Sequence, residues 1–202
     1  YGSWPSPFSA EAIASDSPRI DGARFVGDDI WWGESVPAEG GRVAIRQLSA
    51  PDVPVLPAPW NARSRVHEYG GGAWTADDTG TLYFVDFADQ RIHRLSPGGT
   101  PVPITAAGPR HGGLTVQHGR LLAIRESESG GVTTRSIIDV PADGSAGSDD
   151  GVRTLATGSD FLAHPALSPD GAHLAWVAWD HPQMPWERAV LRIARTDGTG
   201  DV

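Results

Sequence analysis

The sequence predicts an all-β fold, a partial β-propeller of about four blades, each a four-stranded antiparallel sheet. Three observations predict it. The 202 residues include 25 Gly and 17 Pro, so long helices are hard to place. Short strand-like runs alternate with turns, and the same order of turn and strand types recurs. The period is about 40–48 residues without crossover helices, close to the ~40–45 residues of a four-stranded blade.

The first element is an N-terminal arm, residues 1–18. One short helix is expected there at residues 10–14, with Ser9 as its N-cap and Pro18 preventing its extension. The partial propeller then covers residues 19–202. We place its blades near residues 19–59, 66–105, 110–157 and 161–202.

The clearest strands lie in the second and fourth blades. Residues 82–87 (LYFVDF) are rich in aromatic and β-branched side chains, and residues 174–179 (LAWVAW) form a similar apolar run. The second run follows the tetrapeptide Ser168-Pro169-Asp170-Gly171. Its proline presets φ, its aspartate accepts local backbone hydrogen bonds and its glycine tolerates the final geometry, which predicts a type I turn.

The alternative to a propeller is a β-sandwich with irregular loops. The repeated order of elements, and not only their spacing, favours the propeller. The last blade stops at Val202, where its outermost strand should begin, and an open arc would leave two apolar blade faces bare. We therefore expect a fragment whose remaining blades, or a second copy through self-association, cover those faces.

Composition excludes several classes of function. The formal net charge is −9, so nucleic acid is not an expected partner. No apolar run approaches the ~20 residues of a membrane span, so no membrane partner is expected either. The absence of Cys excludes a disulfide framework and a thiolate nucleophile, and it fits a cytoplasmic location. The first residue is Tyr1 and not Met, so the true start is expected to lie upstream.

No catalytic centre is expected in this chain. An α/β-hydrolase nucleophile needs Gly-x-Ser-x-Gly, and the nearest string, Gly144-Ser145-Ala146-Gly147, has the wrong spacing. The seven His residues form no ligand pair such as His-x-x-x-His. We therefore predict no catalytic residue, no metal and no cofactor.

The most distinctive string surrounds three successive glycines, residues 70–72. Three glycines at the start of a blade let backbones crowd near the propeller axis, where Cβ atoms would clash. The preceding Arg65, Glu68 and Tyr69 would then lie at the channel mouth or beside the next blade. Two alternatives remain: Arg65 and Glu68 pair and link neighbouring blades, or one of them binds a charged end of a peptide.

A long, proline-stiffened insertion separates the last two strands of the fourth blade. It contains His181, Met184 and Trp186 and is not a minimal hairpin turn. Met and Trp side chains on a loop indicate a packed contact surface. Burial against a neighbouring domain and a share in a substrate pocket are both open.

Several strings resemble one family of enzymes. They are residues 1–7 (YGSWPSP), 67–72 (HEYGGG), 168–171 (SPDG), 176–182 (WVAWDHP) and 184–186 (MPW). Together they resemble the N-terminal propeller of bacterial prolyl oligopeptidase-family serine peptidases, in the acylaminoacyl-peptidase and dipeptidyl-aminopeptidase-like branch. One departure is Glu187-Arg188-Ala189, where related sequences usually have Asp-Gly-Thr.

The resemblance implies a gating role. In that family the propeller covers the active site of a C-terminal α/β-hydrolase domain and admits short peptides. The catalytic Ser, Asp and His lie in that domain, which is absent from this chain, so no catalytic residue is carried over. Short peptides, the hydrolase domain and the remaining blades are the partners that the resemblance implies. The alternative function is a stand-alone protein-interaction or ligand-binding propeller.

Overall fold

The computed structural model describes residues 7–9, 18–145 and 151–196. The first sheet consists of β1 (Ile20–Val26), β2 (Asp29–Val36) and β3 (Arg42–Gln47). The second consists of β4 (Trp74–Ala76), β5 (Leu82–Val85), β6 (Ile92–Leu95) and β7 (Val102–Pro103). The third consists of β8 (Arg110–Gln117), β9 (Arg120–Ser129), β10 (Val132–Val140) and β11 (Arg153–Ala156). The fourth consists of β12 (Phe161–Leu167), β13 (His173–Trp179) and β14 (Val190–Arg195).

Each sheet is antiparallel, and its strands follow one another in chain order, so the predicted all-β partial propeller is confirmed. The predicted helix at residues 10–14 lies outside the described residues. A 3-10 turn at Pro37–Glu39 lies between β2 and β3. No helix in the described part of the chain is long and apolar enough to cross a membrane.

Not every described sheet has the four strands that were predicted. In the first sheet, the described residues add to β3 an isolated bridge between Ile45 and Leu56 and a hydrogen bond from the Ala62 amide to the Val43 carbonyl, but no fourth strand. Four prolines between residues 51 and 59 explain this, because proline has no amide to donate to a strand ladder. The fourth sheet is described only as far as β14, at the end of the described residues.

The predicted turn before β13 forms as expected. The Gly171 amide donates to the Ser168 carbonyl at 2.8 Å, and the Ala172 amide donates to an Asp170 carboxylate oxygen at 3.0 Å. Gly171 has φ +69°, which glycine adopts without a steric cost. Hydrogen bonds from Ser168 and Ala172 lower the pKa of Asp170. This turn reverses the chain between β12 and β13.

Buried side chains form three clusters, one between each pair of neighbouring sheets. Strand β5 shows how the pattern arises. Leu82 and Phe84 point to the first sheet, whereas Tyr83 and Val85 point to the third. Since successive side chains in a strand alternate between faces, a strand buried on both faces reads as a continuous apolar run. The sheets are therefore stacked as in an arc, and no further described sheet covers its two end faces.

The first strand of each sheet lies innermost, beside the first strand of the next. The indole nitrogen of Trp74 on β4 donates to the Asp21 carbonyl on β1 at 3.1 Å. The Leu167 amide on β12 donates to the Gln117 side-chain oxygen on β8 at 2.7 Å. These contacts line up β1, β4, β8 and β12 along the inner side of the arc.

Gly72 and Gly113 mark the closest approach of two inner segments. A Cβ atom on Gly72 would lie 2.8 Å from the Gly113 Cα atom, and the two residues have φ of +55° and +58°. The Gly113 amide donates to the Gly71 carbonyl at 3.0 Å. The glycines therefore occupy the inner position expected from the sequence, although β4 begins only at Trp74.

Candidate functional site

A cavity of about 660 Å³ lies between the inner strands. Its apolar wall includes Leu114, Leu162 and Val177, and glycine backbone from residues 70–72 forms another side. A volume in this range suits a small ligand or a short length of peptide. The inner strands thus enclose a space on the side where propellers have their central channel.

Five ring side chains cluster at one end of this cavity, and we call them the aromatic cluster: His67, Tyr69, Phe161, Trp179 and His181. Phe161 and Trp179 face each other across β12 and β13 with ring centroids 5.1 Å apart and nearly parallel planes. The ring of His67 lies 5.4 Å from Phe161 and 5.7 Å from both Trp179 and Tyr69. His181 lies 4.9 Å from Phe161. The cluster gives the cavity a broad apolar rim.

A buried carboxylate anchors this rim. Glu126 has a side chain only 3% exposed. It accepts hydrogen bonds from the Arg110 guanidinium at 3.1 Å, from the Arg135 guanidinium at 2.6 Å and from the His67 amide at 3.1 Å. The Arg135 guanidinium also stacks on the Phe161 ring at 4.3 Å. Hydrogen bonds that involve charged groups are stronger than those between neutral groups. This network therefore fixes the segment around His67 against the third sheet.

The structure answers the question about Arg65 and Glu68 that the sequence left open. The Glu68 carboxylate binds Arg110 at 2.8 Å and not Arg65. Arg65 instead stacks on Phe87 at 4.3 Å. The predicted alternative of an Arg65–Glu68 pair is therefore wrong. The physical reason is the left-handed backbone at His67 and Glu68, with φ +58° and +67°, which turns Glu68 toward the third sheet.

Glu68 remains available to a ligand despite its partner, because its side chain is 82% exposed. The hydrogen bond that Arg110 donates to the Glu68 carboxylate raises the pKa of Arg110. Around Arg110, the carboxylates of Glu68, Glu126 and Glu128 face the guanidiniums of Arg110 and Arg135. Three negative and two positive charges leave the surroundings of Arg110 with one net negative charge, which favours a cationic group.

The insertion after β13 brings His181 to the aromatic cluster. The His181 amide and its ring Nδ1 both lie 2.9 Å from one Asp160 carboxylate oxygen. These hydrogen bonds lower the pKa of Asp160. Met184 and Trp186 lie further along the same loop, 38% and 77% exposed, and Pro185 between them lines the cavity. The structure therefore places Tyr69 and His181 in the aromatic cluster, whereas Glu68 pairs with Arg110 and Arg65 stacks on Phe87.

Other residues of the site were missed at the sequence level. Phe161, Arg110, Glu126 and Arg135 come from strands far from His67 along the chain, and only the packing of the sheets unites them. One signal was available. Glu126 comes two residues after the apolar run 121–124 of β9, where a carboxylate needs buried partners.

Arg24 was also missed at the sequence level. Among the described residues that line the cavity, no other is Arg, Lys, Asp or Glu. No group of three or more His, Asp or Glu side chains in the described ranges could hold a metal ion.

The chain is similar over almost its whole length to two solved peptidases. A puromycin-hydrolysing peptidase of Mycobacterium tuberculosis aligns with a TM-score of 0.89 and 36% identity, covering 98% of this chain and 33% of that one. A puromycin hydrolase aligns with a TM-score of 0.88 and 38% identity, covering 100% of this chain and 34% of that one. A mutant of that hydrolase complexed with PGG aligns equally well.

The chain thus spans about a third of the length of these relatives. A TolB protein of Agrobacterium tumefaciens, with a TM-score of 0.55 and 20% identity, covers 83% of this chain and 58% of that one and shows a shared fold alone. No protein-family model matches the chain, and no curated protein matches it.

Proposed function

Because this chain matches the N-terminal propeller domain of prolyl oligopeptidase-family peptidases, we propose that it is the non-catalytic propeller part of a serine peptidase that hydrolyses short peptides. The observation that carries the proposal is 36–38% identity over nearly all of the chain, at TM-scores of 0.88–0.89. In this proposal the catalytic serine belongs to a separate α/β-hydrolase domain. The propeller gates the access of substrate to that domain. The proposed location of the protein is the cytoplasm.

The cavity supports a gating role. Its volume of about 660 Å³ accommodates an extended peptide segment and excludes a folded domain. Its rim is held rigid by the ion pairs of Glu126, so the opening has a defined shape. A rigid opening in front of an active site selects substrates by size.

Glu68 is the proposed contact for the charged amino end of a peptide. Its carboxylate is 82% exposed, and in the chain Glu68 lies between His67 and Tyr69, which both line the cavity. His181, Met184 and Trp186 are proposed to provide an apolar surface for substrate or for the hydrolase domain. We assign no part in this contact to Arg65, whose guanidinium stacks on Phe87.

The gene sequence downstream of Val202 tests the proposal directly. A Gly-x-Ser-x-Gly motif followed by Asp and His would support a peptidase. A stop codon without such a motif would favour the stand-alone propeller. The 202-residue chain should also show no labelling with a fluorophosphonate probe, since its nucleophile is expected elsewhere.

Substrate kinetics test the role of Glu68. In the complete protein, Glu68→Gln should raise KM about tenfold for peptides with a free amino terminus, because a charge-assisted hydrogen bond is lost. The kcat should stay within about twofold, and N-acetylated peptides should be unaffected. The names of the similar peptidases state that they hydrolyse puromycin, so puromycin is a second substrate for the assay.

Arg65→Gln is the matched control, because it lies three residues away on the same segment and contacts Phe87. It should leave both constants unchanged. Equal effects of the two variants would contradict the assignment to Glu68. A protein that hydrolyses neither short peptides nor puromycin would overturn the proposed function as a whole.

A further inference from the structure

Arg24 is an unexpected residue to find in the cavity wall. It lies on the innermost strand of the first sheet, and its side chain is half-buried. The other described residues of the wall are glycines, apolar residues and neutral polar residues. The protein as a whole carries a net charge of −9, so a single cation enclosed by neutral groups stands out.

The hydrogen-bonding capacity of Arg24 is mostly unused. One terminal nitrogen donates to the Thr75 hydroxyl at 3.1 Å, and the other donates to the Trp74 carbonyl at 3.1 Å. A guanidinium has five N–H groups, so three remain without a partner among the described residues. Its charge also lacks an ion-pair partner there, although the Asp21 carboxylate is near enough to influence its pKa.

Burial of an uncompensated cation is costly, and a bound anion relieves that cost. Burial lowers the pKa of Arg24, which is the direction expected for a charge without a counterion. The guanidinium is held in place because it also stacks on the Trp74 ring at 5.0 Å. Three free donors on a positioned fork match the geometry of a carboxylate.

We propose that Arg24 binds the carboxylate at the C-terminal end of a peptide that occupies the cavity between the inner strands. The inference rests on the proposed peptidase function and specifies its substrates: unblocked peptides that enter the channel. Arg24 contacts Trp74 and Thr75 on β4, whereas Phe161 and Trp179 of the aromatic cluster lie on β12 and β13. The proposal therefore adds a second charged contact that is separate from Glu68.

A kinetic comparison of acids and amides tests this site in the complete protein. Alanine peptides of two to eight residues, with either a free carboxylate or a C-terminal amide, would be hydrolysed in parallel; eight extended residues span about 27 Å. Above a threshold length, KM for the acid should be about tenfold lower than KM for the amide. Arg24→Gln should reduce this ratio to below about twofold, and Arg24→Lys should keep an intermediate ratio because it retains the charge.

Two controls separate the possible failures. Arg192→Gln makes the same charge change at an exposed position of β14 and should leave the acid-to-amide ratio unchanged. Ala-Ala-p-nitroanilide has no carboxylate, so all variants should hydrolyse it at the wild-type rate. Hydrolysis of this substrate with no acid preference at any length would overturn the Arg24 site and leave the peptidase function intact. No hydrolysis of any substrate would overturn the proposed function and, with it, this site.

Discussion

His67 lies at the centre of the aromatic cluster with its ring almost sealed from water. The residue is 8% exposed, and its Nε2 atom is buried without a hydrogen-bond partner among the described residues. Desolvation lowers the pKa of His67 to about 4, and the nearby Arg135 acts in the same direction. The imidazole is therefore neutral at physiological pH, and it serves as an aromatic surface and not as a charged contact.

This pKa predicts a pH dependence of stability. In the unfolded chain His67 titrates near its ordinary pKa of 6.5, so between pH 6.5 and 4 the unfolded state binds more protons than the folded state. The contribution of His67 to the free energy of unfolding should be fully present above pH 6.5. It should be lost as the pH is lowered toward 4, which decreases the free energy of unfolding by up to about 3 kcal/mol. Urea unfolding at a series of pH values measures this.

His67→Asn is the comparison variant, because Asn does not titrate and tolerates the left-handed backbone at this position. Carboxylates such as Asp160 titrate in both proteins, so the difference between the two stability curves isolates His67. That difference should decrease steadily from pH 6.5 to 4. A constant difference would mean that the ring is hydrated or already charged in the folded protein.

At the level of elements, the crossing of Gly72 and Gly113 sets the spacing between the second and third sheets. The Leu114 amide donates to the Gly72 carbonyl at 2.8 Å, so the two backbones are joined where they are closest. A methyl group on Gly72 would collide with backbone atoms of Gly113, which cannot move away without breaking this bond. The crossing therefore requires glycine on steric grounds as well as for its φ.

Gly72→Ala should lower the free energy of unfolding by about 2 kcal/mol more than Gly98→Ala, because overpacking adds to the cost of the left-handed backbone. Gly98 is the matched control: its φ is +68°, but a Cβ atom there would meet nothing within 4 Å. Thermal or urea unfolding of both variants measures the difference. Equal losses would show that the backbone conformation, and not the close contact, determines the need for glycine.

The elements themselves were predictable from the sequence because their signals are local. A turn such as residues 168–171 is specified by four adjacent residues, and a doubly buried strand such as β5 by its continuous apolar run. The site was only partly predictable, because it joins distant strands. Glu68 is 42 residues from Arg110 in the chain. No local sequence pattern predicts the left-handed turn that directs Glu68 toward it.

At the level of the whole molecule, the described residues form three apolar clusters between four sheets and none beyond the outer two. Side chains that would be buried inside a closed ring are consequently exposed in the described arc. On β14, Val190, Leu191 and Ile193 are 44%, 69% and 65% exposed. On β1, Phe25 is 77% exposed. Contiguous apolar surface of this kind favours association.

The 202-residue chain should therefore self-associate through these end faces when no further blades cover them. In sedimentation velocity, the weight-average mass should rise with concentration above that of the 21.4 kDa monomer.

Leu191→Glu combined with Ile193→Glu places charges on the end face and should shift association to at least about tenfold higher concentration, because each buried charge would be unpaired. Val132→Glu, at an equally exposed apolar position on the β9–β10 hairpin, should have no such effect. If the wild-type chain sediments as a monomer at all concentrations, or if the hairpin variant dissociates it as well, the end faces do not mediate association.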